Sequence, residues 1–508
     1  MNENVIIGVD IGTTSTKTMA FDAEGRILAQ SSQDYSLYTE SDGHVEQDPE
    51  EIFRAVEGTI ADVAEKVKDR NGTVEGISFS AAMHSLIAVD ENGNPLTRSI
   101  TWADQRSSRE AEQLKASSKG QEIYKRTGTP IHPMSPLTKL IWFDKNEPEL
   151  KAAAAKWISI KEYLFYKWFG EFIVDHSIAS ATGLFHLRRL DWDDEALHLA
   201  GIRRGQLSKP VSTQFSIGGL SDRKAKQLGI DPQTPFIIGA SDGVLANLGV
   251  GAIKPGSIAC SIGTSGAVRT VVPEPSTDRE GRTFCYALTE NHWVVGGPIN
   301  NGGIAFRWLR DNVFDDLAET VSDPYEYLTK QAETIHPGAD GLLFLPYLTG
   351  ERAPFWNADT KAVFFGLTLN HNRNHMIRAV LEGVLYQLDM VVAALKTADV
   401  EPMEFRATGG FTKSRAWRQM MADIFAADIF VPASNSSACF GAAMLAMKAL
   451  HWIDDFSTAV AKVQLQHRHV PIVENVKIYE SYKPIFHRLA ESLQPEFSAL
   501  SELTKKRK

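Results

Sequence analysis

Residues 5–17 read V-I-I-G-V-D-I-G-T-T-S-T-K, and the prediction of the fold starts from this stretch. The apolar run 5–9 predicts a buried strand that ends at the carboxylate of Asp10. Gly12 then opens a turn whose consecutive N–H groups form an anion-binding nest. Further donors come from Thr13, Thr14, Ser15 and Lys17. Since a carboxylate repels phosphate unless a hard cation lies between them, the stretch predicts nucleotide phosphates with Mg²⁺, and a simple polar hairpin turn is the alternative.

The same pattern returns in the second half of the chain. Ile11-Gly12-Thr13-Thr14-Ser15 recurs as Ile262-Gly263-Thr264-Ser265-Gly266, again between two apolar runs. A chance match is the alternative, but the shared strand–turn–strand context favours two related domains, each offering a Gly-Thr turn to phosphates. A chain of 508 residues is also too long for one hydrophobic core.

Composition excludes several classes of protein. The net charge of −10 gives no general attraction to nucleic acid or to an anionic membrane. No apolar run approaches the roughly 18–20 residues that span a bilayer, and no signal sequence precedes the first strand. Three widely spaced cysteines argue against a disulfide framework and against a zinc site. We therefore expect a cytoplasmic protein without nucleic-acid or membrane partners.

The first domain shows clear start and stop signals. Two strands flanking a turn at 22–25 continue the opening strand as an antiparallel meander. Asp48, Pro49 and Glu51 predict the cap, first position and capping box of a helix that ends at Asn71-Gly72. A strand over 74–80 follows. This order is typical of a ribonuclease H-like domain, although other α/β arrangements remain possible at this level.

Candidate substrate residues follow the ends of these strands, where α/β folds bind ligands. Met83 and His84 come directly after the strand 74–80, and a structural histidine is the alternative for His84. Trp102, Asp104 and Arg106 alternate, so on a strand over 100–106 they would share one face. On that face the Trp102 indole would flank the substrate, Asp104 would accept hydrogen bonds and Arg106 would donate them. The alternative is a structural salt bridge between Asp104 and Arg106 beside a packed indole.

The ends of two further predicted strands hold residues that could bind a ligand or take part in catalysis. Residues 235–243 predict a buried strand that ends in Asp242, which suits either a helix N-cap or a general base. Gly409-Gly410 connects a strand at 405–408 to a helix beginning near Ser414. Such a pair allows a phosphate or adenosine to approach the helix N-terminus, and a tight strand–helix connection is the alternative.

Two long motifs resemble the FGGY family of carbohydrate kinases, and the resemblance covers almost the whole chain. One is 134–146, M-S-P-L-T-K-L-I-W-F-D-K-N, and the other runs from Ala362 through Gly366-Leu367 to Glu382. The resemblance implies an α/β fold of two ribonuclease H-like (actin-like ATPase) domains with an interdomain active-site cleft. We expect an N-terminal domain at 1–248 for sugar binding and the first phosphate loop, a C-terminal ATP-binding domain at 249–485, and a tail at 486–508.

The resemblance also implies roles for individual residues. Asp242 would be the general base, and Asp10 with Asp242 would hold Mg²⁺. The substrate would contact Met83, His84, Trp102, Asp104, Arg106 and Asp242. ATP would contact Thr13, Thr14, Ser15, Lys17, Gly263, Thr264, Gly303, Arg307, Gly410 and Ser414.

Within the family, phrases such as 78–84, 126–134 and 284–293 are similar to the subgroup that phosphorylates gluconate. The expected reaction transfers the γ-phosphoryl group of ATP to the terminal hydroxyl of gluconate. Ala82-Met83-His84-Ser85 replaces the Gln-Met-His-Gly of many xylulose kinases, which lowers the expectation for xylulose. A xylulose or other polyol kinase, and an actin-like ATPase, remain the alternatives. The family resemblance also makes a homodimer possible.

Overall fold

The computed structural model describes residues 3–40, 43–315, 321–396, 400–433 and 436–505. The last three residues of the predicted tail, 506–508, lie outside this part of the chain. Contacts divide the chain into two compact units. The first comprises Met1–Ile253, Val271–Val295 and Ser436–Val463, and the second comprises Lys254–Thr270, Gly296–Asn435 and Gln464–Lys508.

The strands are β1 (Glu3–Ile11), β2 (Ser15–Phe21), β3 (Ile27–Asp34), β4 (Tyr38–Thr39), β5 (Val45–Gln47), β6 (Gly72–Ala81), β7 (Ile87–Val89), β8 (Ser99–Ile100), β9 (Lys156–Ile158), β10 (Ile173–Asp175), β11 (Phe185–His186), β12 (Asp191–Trp192), β13 (Lys209–Val211), β14 (Ser216–Ile217), β15 (Phe236–Ser241), β16 (Ser257–Ile262), β17 (Gly266–Val272), β18 (Phe284–Thr289), β19 (His292–Ile299), β20 (Leu343–Leu345), β21 (Val363–Phe365), β22 (Glu404–Thr408), β23 (Asp428–Pro432) and β24 (Leu465–His469).

The helices are α1 (Pro49–Lys68), α2 (Ser108–Lys115), α3 (Ser118–Thr127), α4 (Pro136–Asn146), α5 (Pro148–Ala153), α6 (Ile160–Phe169), α7 (His176–Ser180), α8 (Asp194–Ala200), α9 (Asp222–Leu228), α10 (Asp242–Gly249), α11 (Gly303–Val313), α12 (Pro324–Glu333), α13 (Arg373–Leu395), α14 (Arg415–Phe425), α15 (Ser437–Ala449), α16 (Phe456–Val460), α17 (Val473–Ser492) and α18 (Gln494–Lys505).

A six-stranded sheet in the order β14-β15-β6-β1-β2-β3 forms the centre of the first unit. β1 pairs antiparallel with β2 and β2 with β3, which confirms the predicted meander. β6 runs parallel to β1 on one side and to β15 on the other. The C-terminal ends of β15, β6 and β1 therefore lie side by side at one edge of the sheet.

Helix α1 packs on this sheet through an apolar stripe and begins where the sequence predicts. The Asp48 side chain accepts hydrogen bonds from the N–H groups of Glu50 and Glu51, and Pro49 occupies the first turn. The predicted capping box is wrong. The Glu51 carboxylate accepts instead from the backbone N–H of Ser36 at 3.2 Å, because a partner from the preceding loop lies within reach.

A β-bulge bends the last residues of β15. Ile237 pairs with Ser78 and Ala240 with Ser80, so β15 uses one more residue than β6 over this interval. The extra residue of the bulge lies at or next to Gly239, where the backbone has a φ of +75°. A Cβ atom there would lie 1.8 Å from the carbonyl oxygen of Phe79. Only glycine fits this position, and the bulge sets the direction in which the chain leaves the sheet toward Asp242.

Within the first unit, helix α15 packs against β1 and α10 at backbone distance. A Cβ at Gly8 on β1 would lie 2.1 Å from the Cys439 carbonyl oxygen, and a Cβ at Gly441 would lie 2.0 Å from that of Leu245. Apolar side chains of β1, α10 and α15 form one cluster there. This close packing joins a late segment of the chain to the first sheet.

In the second unit, β17, β16, β22, β23 and β24 are consecutive strands of another sheet. β16 pairs antiparallel with β17 and parallel with β22, as β1 pairs with β2 and β6 in the first unit. In each Gly-Thr turn the N–H of the glycine closes the turn: Gly12 donates to the carbonyl of Ser15, three residues on, at 3.0 Å, and Gly263 donates to that of Ser265, two residues on, at 2.9 Å. The internal repeat in the sequence is thus a repeat in topology.

Gly239→Ala should lower the free energy of unfolding by at least about 2 kcal/mol, because the added methyl group clashes with a backbone carbonyl and the φ is left-handed. Thermal unfolding of the purified protein measures the change. Gly205→Ala is the matched control, since a Cβ at Gly205 meets no atom within 4 Å. Equal stability of the two variants would contradict the bulge.

Candidate active site

The first Gly-Thr turn connects β1 and β2 and leaves its polar groups accessible. Asp10 lies near the end of β1 opposite Lys17 on β2, and Ser15 begins that strand. Thr14 and Lys17 are exposed, whereas Thr13 and Ser15 are half-buried. The structure therefore brings the predicted phosphate-loop residues together around one turn.

Asp10 has an unusual electrostatic environment. Burial and, to a smaller extent, the negative charge of Asp242 together raise the pKa of its carboxyl from 3.8 to about 6. Two groups act in the opposite direction: Ser80 Oγ donates a hydrogen bond to Asp10 Oδ1 at 2.8 Å, and the Lys17 ammonium attracts the carboxylate. Asp10 and Asp242 thus form a pair of acids whose charges interact at one sheet edge.

Side chains from neighbouring segments hold the carbonyl groups of this turn. Tyr35 Oη donates to the Gly12 carbonyl at 2.5 Å, and Gln47 Nε2 donates to the Thr13 carbonyl at 2.5 Å. The indole N–H of Trp102 donates to Thr13 Oγ1 at 3.0 Å. Trp102, predicted for the substrate, is therefore also in contact with the phosphate turn, a link that no sequence motif indicated.

The segment that carries Trp102, Asp104 and Arg106 is not a strand. β8 ends at Ile100, and 101–107 form turns, so the prediction of one shared strand face is wrong. The physical reason is that the Asp104 side chain hydrogen-bonds to backbone groups that a neighbouring strand would otherwise bind. Asp104 Oδ2 accepts the Val45 N–H at 2.8 Å, and Asp104 Oδ1 accepts the N–H of Arg106 at 3.1 Å.

Asp104 and Arg106 also form a buried ion pair. Arg106 Nε donates to Asp104 Oδ1 at 2.9 Å, and its terminal nitrogen reaches Glu46 Oε1 at 2.5 Å. The side chains of Asp104 and Arg106 are 0% and 4% exposed. The salt bridge that was the alternative to a substrate-binding face is thus present. The carboxylates of Asp104 and Glu46 balance the charge of the Arg106 guanidinium.

Met83 and His84 follow the end of β6 directly. His84 Nδ1 lies 2.7 Å from the carbonyl oxygen of Ala181, which can only accept, so Nδ1 carries the proton. The imidazole packs edge-on against Tyr286 at a centroid distance of 5.9 Å. Met83 is half-buried and packs against two hydrophobic clusters.

A buried lysine joins the segments on the substrate side. Lys139 Nζ donates to the carbonyls of His84 at 3.1 Å, Thr101 at 2.8 Å and Met134 at 2.7 Å. Burial lowers the pKa of this amine to about 7. The lysine of the 134–146 motif therefore fixes the backbone of three loops.

Asp242 is the first residue of α10 and stands directly beyond the bulged end of β15. Its Oδ1 accepts the N–H of Gly243 at 2.7 Å. The preceding Ser241 is held from outside the sheet, since its N–H donates to Ser177 Oγ at 3.1 Å. Asp242 is half-buried, and the geometry suits both a helix-terminal residue and a base at the sheet edge.

A large cavity of about 960 Å³ lies within the second unit. The second Gly-Thr turn is joined to the start of α11 by N–H bonds from Gly303 to the Gly263 carbonyl at 2.7 Å and from Ile304 to the Thr264 carbonyl at 3.1 Å. Six predicted nucleotide residues line the cavity: Gly263, Thr264, Gly303, Arg307, Gly410 and Ser414.

The residues of this cavity suit a nucleotide. A Cβ at Gly263 or Gly410 would meet no protein atom within 4 Å, so both positions leave room for a ligand. Ser414 is the N-cap of α14 and binds the Trp417 N–H through its Oγ at 3.2 Å. Aromatic side chains that sequence reasoning missed also line the wall, including Tyr325, which stacks with the Arg310 guanidinium at 4.7 Å.

Glu351 supports the turn before α11 and was not predicted. Its buried carboxylate accepts the N–H of Asn300, the side-chain amide of Asn301 at 3.1 Å and the N–H of Arg352 at 2.9 Å. Burial raises the pKa of Glu351 from 4.5 to about 7. This buried acid thus fixes the residues that lead into Gly303.

The two acids of the first unit fit a magnesium ion. Mg²⁺ is usually held by one or two carboxylates together with substrate phosphates and water. Asp10 and Asp242 supply such a pair, and the pKa of Asp10 is raised first by burial and then by the charge of Asp242. Within the described ranges, no group of three or more His, Cys, Asp or Glu side chains could hold a metal by itself.

Comparison with known proteins identifies the family. Residues 5–249 match the model of the N-terminal domain of the FGGY family of carbohydrate kinases, and residues 258–450 match that of its C-terminal domain. The chain therefore belongs to the FGGY family of carbohydrate kinases, and its membership implies the use of ATP.

Individual relatives extend along the whole chain. Gluconokinase of Bacillus subtilis (strain 168) is 50% identical over 502 residues, 98% of either chain. The crystal structure of gluconate kinase from Lactobacillus acidophilus is 37% identical and covers 98% of this chain and 100% of that one, with a TM-score of 0.94. Ligand-bound xylulose kinase from the same organism matches over the same shares at 37% identity and a TM-score of 0.93.

These matches confirm the predicted two-domain α/β kinase fold, which is the actin-like ATPase fold. In the part of the chain that the structure describes, no helix is both long and apolar enough to cross a membrane.

The wild-type protein should lose stability as the pH rises from about 4.5 to about 7, relative to Glu351→Gln. The unfolded chain releases the Glu351 proton at the lower pH, so the folded state binds more protons within this window. We expect a relative change of roughly 1–3 kcal/mol between pH 5 and pH 8. Thermal unfolding at several pH values measures it, with the exposed Glu401→Gln as control. Parallel profiles of wild type and Glu351→Gln would contradict the prediction.

Proposed function

We propose that this kinase phosphorylates D-gluconate at its terminal hydroxyl and produces 6-phosphogluconate. The observation that carries the proposal is the 50% identity, over 98% of either chain, to a protein named Gluconokinase. The carboxylates and donors at the edge of the first sheet and the nucleotide-sized cavity of the second unit supply the chemistry that this reaction needs.

In the proposed mechanism, Asp242 is the general base. A primary alcohol is a weak nucleophile, and phosphoryl transfer depends mainly on positioning and on neutralisation of charge. Asp242 orients the hydroxyl and accepts its proton, a contribution of typically 10²–10⁴-fold. The N–H groups and hydroxyls of the first turn, with Lys17, bind the transferred phosphoryl group.

The nucleotide binds in the cavity of the second unit. Gly263, Thr264 and Gly303 face its phosphates, while Gly410 and Ser414 contact the adenosine side. Asp10 and Asp242 are the residues that would hold Mg²⁺, which would supply neutralisation of phosphate charge.

The substrate carboxylate needs a cationic or N–H donor. The candidates are His84, Arg106, His132 and Lys139. Lys139 already donates to three carbonyls, and Arg106 is bonded to Asp104 and Glu46. His84 donates its Nδ1 proton to the Ala181 carbonyl, so its neutral ring offers an acceptor at Nε2. His132 Nδ1 accepts the Met134 N–H at 3.2 Å, which places the proton of the neutral ring on Nε2.

A xylulose kinase is the second candidate function. The similarity to ligand-bound xylulose kinase from Lactobacillus acidophilus, at 37% identity, favours it. The higher identity to the gluconokinase of Bacillus subtilis opposes it. A site that stabilises a carboxylate would discriminate against a neutral sugar, because its donor would be left unpaired.

Purified enzyme with Mg-ATP should release ADP with gluconate and far more slowly with xylulose, glycerol or no sugar. Asp242→Asn should lower kcat by about 10²–10⁴-fold, because the base is lost while the shape of the side chain is kept. A coupled ADP assay measures both.

Preference for xylulose would overturn the gluconate proposal and keep the kinase. Full activity of Asp242→Asn would overturn the assignment of the base. ADP release that is independent of every sugar would favour the actin-like ATPase.

Gly410→Ala should raise the KM for ATP by about tenfold or more, which corresponds to about 1.4 kcal/mol. Stability should change by less than about 0.5 kcal/mol, because the added methyl group meets no protein atom. Gly205→Ala is again the control, since it adds a methyl group to open space in the first unit. An unchanged KM for ATP would remove Gly410 from the nucleotide site.

We also propose that the enzyme acts in the cytoplasm and forms a homodimer. All three cysteines are free and buried, which suits a reducing compartment. Light scattering of the purified protein tests the dimer, and a monomeric mass would reject it.

A further inference from the structure

A buried lysine lies behind the corner that carries the proposed base. Lys161, in the first turn of α6, is 2% exposed. Its Nζ forms a 2.7 Å ion pair with Asp175, which is 0% exposed, and donates to the carbonyl oxygen of Ala240 at 3.1 Å. Ala240 is two residues before Asp242. The ammonium therefore holds the last part of β15 from outside its sheet.

The partners of this lysine are themselves fixed. Asp175 is the N-cap of α7, and its other carboxylate oxygen accepts the N–H of Ile178 at 2.9 Å. Two residues along, Ser177 Oγ accepts the Ser241 N–H at 3.1 Å and donates to Ser241 Oγ at 3.0 Å. Two buried side chains from α6 and α7 thus hold the consecutive residues Ala240 and Ser241.

The bulge explains why such support is needed. After Gly239 the chain turns toward α10, and the peptide groups of 240–241 bond to side chains. A buried carbonyl without a donor is costly, so Lys161 both satisfies the Ala240 oxygen and limits its movement. The positive charge also attracts the Asp242 carboxylate.

We propose that Lys161 is a positioning residue for phosphoryl transfer: through its bond to the Ala240 carbonyl, it fixes the Asp242 carboxylate against the substrate hydroxyl. The proposal rests on the proposed function, in which Asp242 is the base. Lys161 touches neither substrate nor nucleotide, and its effect is on the geometry of the attacking group.

Steady-state kinetics and thermal unfolding of full-length variants test the proposal. Lys161→Met should lower kcat by about 100-fold, the usual cost of a misplacement of about 1 Å. The KM values for gluconate and ATP should stay near those of the wild type. Lys161→Arg should restore part of kcat, because a guanidinium can still donate to Ala240.

Because Lys161→Met leaves the Asp175 charge buried and unpaired, it also destabilises the fold. The double variant Lys161→Met/Asp175→Asn separates the two effects. The amide keeps the cap of α7 and removes the unpaired charge, so we expect stability to recover while kcat stays low. Recovery of both would show a merely structural ion pair and would overturn the proposal.

Lys151 provides a matched control. It is 7% exposed and donates to the Ala200 carbonyl at 2.6 Å and to Asp144 at 2.8 Å, although the Asp144 side chain is 61% exposed where Asp175 is buried. Lys151→Met should lower stability and leave kcat unchanged, and an equal loss of kcat would overturn the proposal. A wild type without sugar kinase activity, or a fully active Asp242→Asn, would instead reject the proposed function.

Discussion

Repulsion between two carboxylates is the constraint on which the first unit depends. Asp10 and Asp242 stand at the C-terminal ends of the parallel strands β1 and β15, and the pKa of Asp10 rises to about 6 because burial and Asp242 both disfavour its charge. A fold optimised only for stability would replace one of them. The protein instead keeps both and surrounds them with Ser80, Lys17 and Lys161. In the proposed mechanism, a bound cation would relieve this repulsion.

Local signals in the sequence predicted much of this fold correctly. The cap at Asp48, the meander and both Gly-Thr turns depend on neighbouring residues, so the sequence contains their causes. The strand predicted over 100–106 was wrong, because alternation indicates a strand only where a partner strand is available. There, the Asp104 carboxylate binds the backbone of Val45 and Arg106 in place of a sheet neighbour.

The sequence predicted the individual strand-end residues of the candidate site. It did not predict the buried residues that hold them in position. Asp10, Gly263 and Asp242 lie at the ends of strands, and the residues around each strand end make them recognisable in the sequence. Lys161 and Glu351 lie on other elements, and their roles arise from contacts across 79 and 51 residues of sequence. Short motifs cannot reveal such contacts. The available signal was weaker: a charged residue in an otherwise apolar segment, which predicts a buried pair.

The packing of α15 on β1 also has a consequence for synthesis of the chain on the ribosome. Ile6 and Leu245 share a cluster with Met444 and Leu445, although about 200 residues, most of them of the second unit, are translated between Leu245 and Met444. At a synthesis rate of roughly 5–20 residues per second, the apolar surface of β1 and α10 stays uncovered for about 10–40 s before α15 has been made. The nascent first unit is therefore an incomplete core during this interval, and a chain released before residue 463 would keep a surface that chaperones recognise.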